Sequence, residues 1–133
     1  MLTKTGRYAA CTSEFLRLLD KQFQQEQDPH SLQDLSVGSF AQSLHVSANY
    51  LNRIVRNDTG LPPSRIIRER ILREAKSLLI QTSLTNSQIA WRLRFEKTAY
   101  FSTFFRKNCL IRPEDFRTSE SGKINQQRRA KPG

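Results

Sequence analysis

Histidine, cysteine and glycine are scarce in this chain, and each scarcity removes a class of chemistry. The two histidines, His30 and His45, are solitary, and the two cysteines, Cys11 and Cys109, show neither Cys-x-x-Cys spacing nor a histidine close by. No metal site and no cofactor is therefore expected, and the thiols read as reduced and structural. The five glycines form no phosphate-cradling loop, and no carboxylate pair or nucleophile-and-base constellation rises above chance. No enzymatic activity is expected. Long apolar runs are missing as well, because arginine cuts the most hydrophobic windows every few residues; this leaves no signal peptide or membrane span and makes a reducing, cytoplasmic location the default.

Acidic residues are the minority, 12 against 22 Lys and Arg in 133 residues, and the imbalance is local. Residues 1–34 carry four basic and five acidic side chains (net −1), residues 35–117 fourteen and six (net +8), and residues 118–133 four and one (net +3). A basic field over a defined stretch favours a polyanionic partner.

That stretch is a degenerate duplication. Phe40-Ala41, Leu44 and Val46 match Ile89-Ala90, Leu93 and Phe95 at an offset of 49 residues; Tyr50-Leu51, Ile54-Val55, Arg56 and Pro63 match Tyr100-Phe101, Phe104-Phe105, Arg106 and Pro113 at an offset of 50. The inserted residue falls between two apolar blocks, where a turn tolerates it best, so each copy reads as helix, turn, second helix. An amphipathic helix is expected from Ser13 to about Gln25, behind a disordered or appended lead-in over residues 1–12 and ahead of a break at Gln27 to His30. The first helix-turn-helix spans about 36–60, its second helix capped by Ser47, carrying Tyr50, Leu51, Ile54 and Val55 inward, and stopped by Gly60 and the following prolines. A linker helix follows over about 64–81, on the order of 27 Å long. The second helix-turn-helix occupies about 85–108, opened by the capping box Thr85-Asn86-Ser87-Gln88. A short helix from Pro113 to Phe116 closes the folded part at about 117, and residues 118–133 read as a basic, disordered tail. The expected fold class is all-α, about seven helices forming two helix-turn-helix subdomains joined by the linker helix.

In such a motif the first helix braces the second, whose outward side chains meet base edges and phosphates. Subtracting the core positions leaves Ala48, Asn49, Asn52, Arg53 and Arg56 outward in the first copy, and Ser47 at the cap joins the candidate DNA-binding set. Arg53 suits guanine, Asn49 or Asn52 suits adenine, and Arg56 suits phosphate. In the second copy Lys97, Thr98, Ala99, Thr103, Arg106 and Lys107 remain, with Ala99 able to touch a thymine methyl; this copy has fewer bidentate readers and is expected to position more than it specifies. Trp91 and the Phe104-Phe105 pair read as core, and either Tyr100 or Phe101 turns inward with them.

In order along the chain, Phe40 to Arg53, Thr59 to Pro63, Arg70 to Leu79, Ile89 to Phe95, Tyr100 to Lys107 and Arg112 to Arg117 resemble the C-terminal DNA-binding domain of AraC/XylS-type transcription regulators. The resemblance covers roughly residues 35–118 and implies sequence-specific binding of double-stranded promoter DNA, two recognition helices in successive major grooves, and contact with RNA polymerase. It also implies a bacterial, nucleoid-associated location. By position, base contacts fall on Asn49, Asn52 and Arg53, then on Thr98, Ala99, Tyr100 and Thr103; for Tyr100 this competes with the core reading. The family has a sensing or dimerisation domain N-terminal to this one, so the chain reads as the C-terminal piece of such a regulator rather than as a stand-alone one. Arg94 stands where the family has glycine in the second turn, and Leu110 where it has glycine after the second recognition helix. A turn that needs positive φ makes Arg94 costly by on the order of 1 kcal/mol. The competing reading is a protein-interaction module in which the basic linker helix docks on RNA polymerase or another acidic partner and DNA contact is incidental.

Overall fold

A computed structural model describes residues 2–24 and 34–119, with no strand among them. Six helices, α1 (Leu2–Lys21), α2 (Val37–Ser43), α3 (Ala48–Thr59), α4 (Pro63–Gln81), α5 (Asn86–Arg92) and α6 (Thr98–Cys109), are followed by α7 over residues 113–119. The all-α expectation holds. The break at Gln27 to His30 and the tail from residue 120 lie outside the described residues.

The chain divides into two compact units, Met1–Arg70 and Ile71–Gly133. In the first, α1 packs on α2 and α3, and Phe15, Leu19, Phe40, Leu51, Ile54, Val55 and Ile67 are buried together with Pro63. Phe15 meets Phe40 edge to face at 5.4 Å between ring centres, a favoured aromatic geometry. The irregular lead-in expected before Ser13 is instead helical from Leu2. Thr12, on the N-terminal side of Ser13, is buried in line with Phe15 and Leu19, and its Oγ1 donates to Asp58 Oδ2 at 2.5 Å. A hydrogen-bonded threonine extends the packed stripe without extending the apolar pattern.

In the second unit Ile71, Ala75 and Leu79 of α4 are buried, as are Ile89, Ala90, Leu93, Phe101, Phe105 and Pro113. Phenylalanine dominates this core. Phe95 contacts Phe101 at 5.6 Å and Phe104 at 5.3 Å, Phe101 contacts Phe105 at 6.0 Å, and Phe105 contacts Phe116 of α7 at 5.4 Å. Arg117 ties the end of α4 down: its Nε donates to the Leu79 carbonyl at 2.9 Å and its Nη2 to the Leu84 carbonyl at 2.5 Å. These are carbonyls at and just beyond a helix C-terminus, where cations are favoured.

Candidate nucleic-acid interface

The two turns are one backbone form built twice. In the first unit the Leu44, His45 and Val46 N–H groups donate to the Phe40, Gln42 and Ala41 carbonyls at 3.0, 3.1 and 3.0 Å; in the second, Leu93, Arg94 and Phe95 donate to Ile89, Trp91 and Ala90 at 2.9, 3.0 and 2.9 Å. His45 and Arg94 take left-handed φ values of 58° and 68°. The strain expected at Arg94 is therefore present, and the first copy carries its own version at His45. Arg94 is also half-buried, and that desolvation pushes its guanidinium pKa down.

The second helices begin differently and end alike. Ser47 caps α3 by accepting from the Tyr50 N–H at 3.0 Å, whereas Lys97, in the equivalent place before α6, makes no side-chain cap. At the far ends the N–H of Gly60 donates to the Arg56 carbonyl and that of Leu110 to the Arg106 carbonyl, both at 2.8 Å, with φ 79° at Gly60 and 68° at Leu110.

On α3, Leu51, Ile54 and Val55 are buried while Ser47, Asn49, Asn52, Arg53 and Arg56 are exposed. The outward set expected from the sequence is thus gathered on one helix and its cap. Tyr50, expected inward, is only half-buried, and the Arg53 guanidinium lies over its ring at 5.6 Å from the centroid. On α6, Phe101 and Phe105 are buried; Lys97, Ala99, Thr103, Arg106 and Lys107 are exposed and Thr98 is half-buried. Of the Tyr100 and Phe101 alternatives, Phe101 is the core residue. Tyr100 is 51% exposed and carries the Lys97 ammonium over its ring at 5.6 Å.

Trp91 corrects the sequence reading. Expected in the core, it is 78% exposed, because helical spacing from Phe95 does not set the face when the buried residues of α5 are Ile89 and Ala90. The duplication held the signal: Trp91 aligns with Gln42, an exposed polar position.

Two helix-turn-helix units, each turning Arg, Lys, Asn or Thr outward from its second helix, are the architecture of a DNA-binding domain. A family model described as a helix-turn-helix domain matches residues 40–119. The HTH-type transcriptional activator RhaS of Escherichia coli (strain SE11) is 28% identical over 95 residues, 71% of this chain and 34% of that protein, so the chain spans about a third of the length of this relative. Among solved structures, the C-terminal domain of AraT, a response regulator from Geobacillus stearothermophilus, superposes with a TM-score of 0.70 at 28% identity, covering 82% of this chain and 84% of that one. The DNA-binding domain of AdpA, a global transcriptional factor solved in complex with a target DNA, shares the fold with a TM-score of 0.68 at 19% identity, over 86% and 96% of the two chains. The chain belongs to the AraC-type helix-turn-helix family. That family is one of transcription regulators and not of enzymes. Among the described residues no helix is long and apolar enough to cross a membrane.

Proposed function

We propose that this chain binds promoter DNA sequence-specifically, α3 and α6 each entering a major groove and the two grooves being successive ones on the duplex. One observation carries the reading: α3 buries Leu51, Ile54 and Val55 and leaves Asn49, Asn52, Arg53 and Arg56 together on the exposed side. Asn and Arg are the side chains whose paired donors and acceptors match adenine and guanine edges. Lys97, Arg106 and Lys107 supply the phosphate grip expected of a head that positions more than it specifies, with Thr98, Ala99 and Thr103 on the groove side. AdpA, whose domain has the same fold, was solved in complex with a target DNA, which supports DNA as the partner. The test is binding to a duplex enriched by the wild-type chain from a randomised pool, against a scrambled duplex of equal composition. Arg53→Ala should weaken binding to the enriched site far more than to the scrambled one, by about 1–3 kcal/mol, and Arg106→Ala should weaken both alike; equal loss on both duplexes from Arg53→Ala refutes the assignment of Arg53 as a base reader.

A second reading, docking on RNA polymerase or another acidic partner with incidental DNA contact, has one observation in its favour. Trp91 and the neighbouring Arg92 are exposed on α5, the bracing helix rather than the reading one. A log K against log[salt] plot that is flat for duplex DNA selects this reading, and a steep negative slope selects the first.

A further inference from the structure

We propose that Tyr50 is a positioning residue, its ring holding the Arg53 guanidinium in place on the exposed side of α3 before DNA arrives. The proposal rests on the base-reading role of Arg53 and adds a second side chain to it.

Residues three apart on a helix are neighbours on its surface. The backbone that carries Tyr50 is fixed: Ser47 accepts from its N–H at 3.0 Å, the adjoining Leu51 is fully buried, and Tyr50 itself is half-buried. The Arg53 charge lies 5.6 Å from the ring centroid, within the range at which a guanidinium is attracted to an aromatic face. A free arginine side chain samples many rotamers and loses that freedom on docking to a base; one already resting on a ring loses less, so its guanine contact gains in both strength and selectivity.

The duplicated unit serves as an internal comparison. Tyr100 aligns with Tyr50, yet its ring carries Lys97, three residues earlier, at 5.6 Å; the position equivalent to Arg53 is Thr103. The same tyrosine thus holds a forked donor in mid-helix in one unit and a point charge at the helix start in the other. With Arg53 assigned to a base edge and Lys97 to phosphate, removing the first ring should alter selectivity and removing the second should not.

The experiment compares Tyr50→Leu, Tyr50→Phe, Arg53→Ala and the Tyr50→Leu/Arg53→Ala double variant on the enriched and scrambled duplexes, with Tyr100→Leu alongside. Tyr50→Leu should lower the ratio of the two affinities about 2- to 5-fold and Tyr50→Phe should leave it unchanged. Tyr50→Leu should have no further effect once Arg53 is alanine, and Tyr100→Leu should lower both affinities alike. A second measurement needs no DNA: ring-current shifts of the Arg53 side-chain protons should be present in the wild type and in Tyr50→Phe and lost in Tyr50→Leu. An unchanged ratio in Tyr50→Leu, equal losses in Tyr50→Phe and Tyr50→Leu, or absence of the wild-type ring-current shift each overturns the positioning role. Selective loss in Arg53→Ala with an unchanged ratio in Tyr50→Leu removes the positioning role alone, whereas loss on both duplexes alike in Arg53→Ala removes the base-reading assignment as well.

Discussion

Replacing Leu110 by glycine should stabilise the second unit by about 0.5–1 kcal/mol, although it deletes a large apolar side chain. Leu110 ends α6 in the left-handed region, φ 68° and ψ 2°, where the Cβ of an L-residue crowds the following carbonyl at a cost of about 1–2 kcal/mol. Glycine has no Cβ, but its greater freedom in the unfolded chain takes back about 0.5–1 kcal/mol. Little is lost from packing, because Leu110 is 84% exposed. The bond from its N–H to the Arg106 carbonyl at 2.8 Å belongs to the backbone and survives.

The first unit supplies the reverse experiment. Gly60 ends α3 at φ 79° and ψ −2°, and no heavy atom lies within 4 Å of where a Cβ would stand. Gly60→Ala therefore tests the backbone penalty with no collision added, and should cost about 1 kcal/mol. Urea and thermal unfolding followed by circular dichroism at 222 nm measure both changes; 1 kcal/mol corresponds to about 4–8 °C in Tm for a unit of this size. Amide exchange locates them, slowing at Phe101 and Phe105 in Leu110→Gly and quickening at Leu51 and Ile54 in Gly60→Ala. A lower midpoint for Leu110→Gly, or shifts of the same sign for the two substitutions, refutes the assignment of strain to Leu110.

Arg117→Ala should destabilise by about 2 kcal/mol, because it leaves the Leu79 and Leu84 carbonyls without their charged donor; Arg117→Lys should recover only part of that in the same melts, one ammonium being unable to reproduce a fork. Burial pushes both thiols above the ordinary cysteine range, reinforced at Cys11 by the negative charge of Asp58 and opposed at Cys109 by Lys76. Alkylation by iodoacetamide at pH 7.5 should thus be slower at both than for a free small-molecule thiol and rise steeply only in more alkaline buffer; rapid labelling at pH 7.5 contradicts this. Lys97→Ser should install at α6 the cap that Ser47 gives α3, adding about 1 kcal/mol of stability, while the salt slope of DNA binding falls in magnitude by about 0.9 for one lost phosphate contact. A more stable variant with an unchanged slope would show that Lys97 does not touch phosphate.

Much of the fold was legible because its punctuation is chemical. Ser47, the Thr85 to Gln88 box and Gly60 each act in the structure as their side chains dictate, and the apolar residues of α3 locate its exposed face by subtraction. The continuation of α1 ahead of Ser13 was not legible, since Thr12 is a polar side chain on a buried stripe, satisfied by Asp58, and hydropathy does not register a satisfied polar group. Trp91 was misread for a different reason, helical spacing with its apolar neighbours being taken as evidence of burial when its aligned partner Gln42 is an exposed polar position. The left-handed turn at His45 left no mark in composition at all: only the backbone bonds shared with Arg94 disclose it.

The two units are unequal in ways that offset one another. The second has an uncapped reading helix and a left-handed leucine where the first has Ser47 and Gly60, a deficit of about 2 kcal/mol from helix ends alone. Among the described residues it also has four phenylalanine ring pairs against one in the first. Each such pair contributes about 0.5–1.5 kcal/mol beyond the area it buries, so the aromatic cluster is of the right size to offset the poor helix ends. On α6 itself Phe101 and Phe105 of that cluster are buried while Thr103 and Arg106 are exposed, which leaves those outward positions free to change without loss of the core. A helix held from behind by phenylalanines does not need a serine at its N-cap, and the lysine found there adds positive charge next to the exposed start of α6. The weaker cap and the basic residue are one substitution, which removes a serine cap from α6 and places a positive charge at its start.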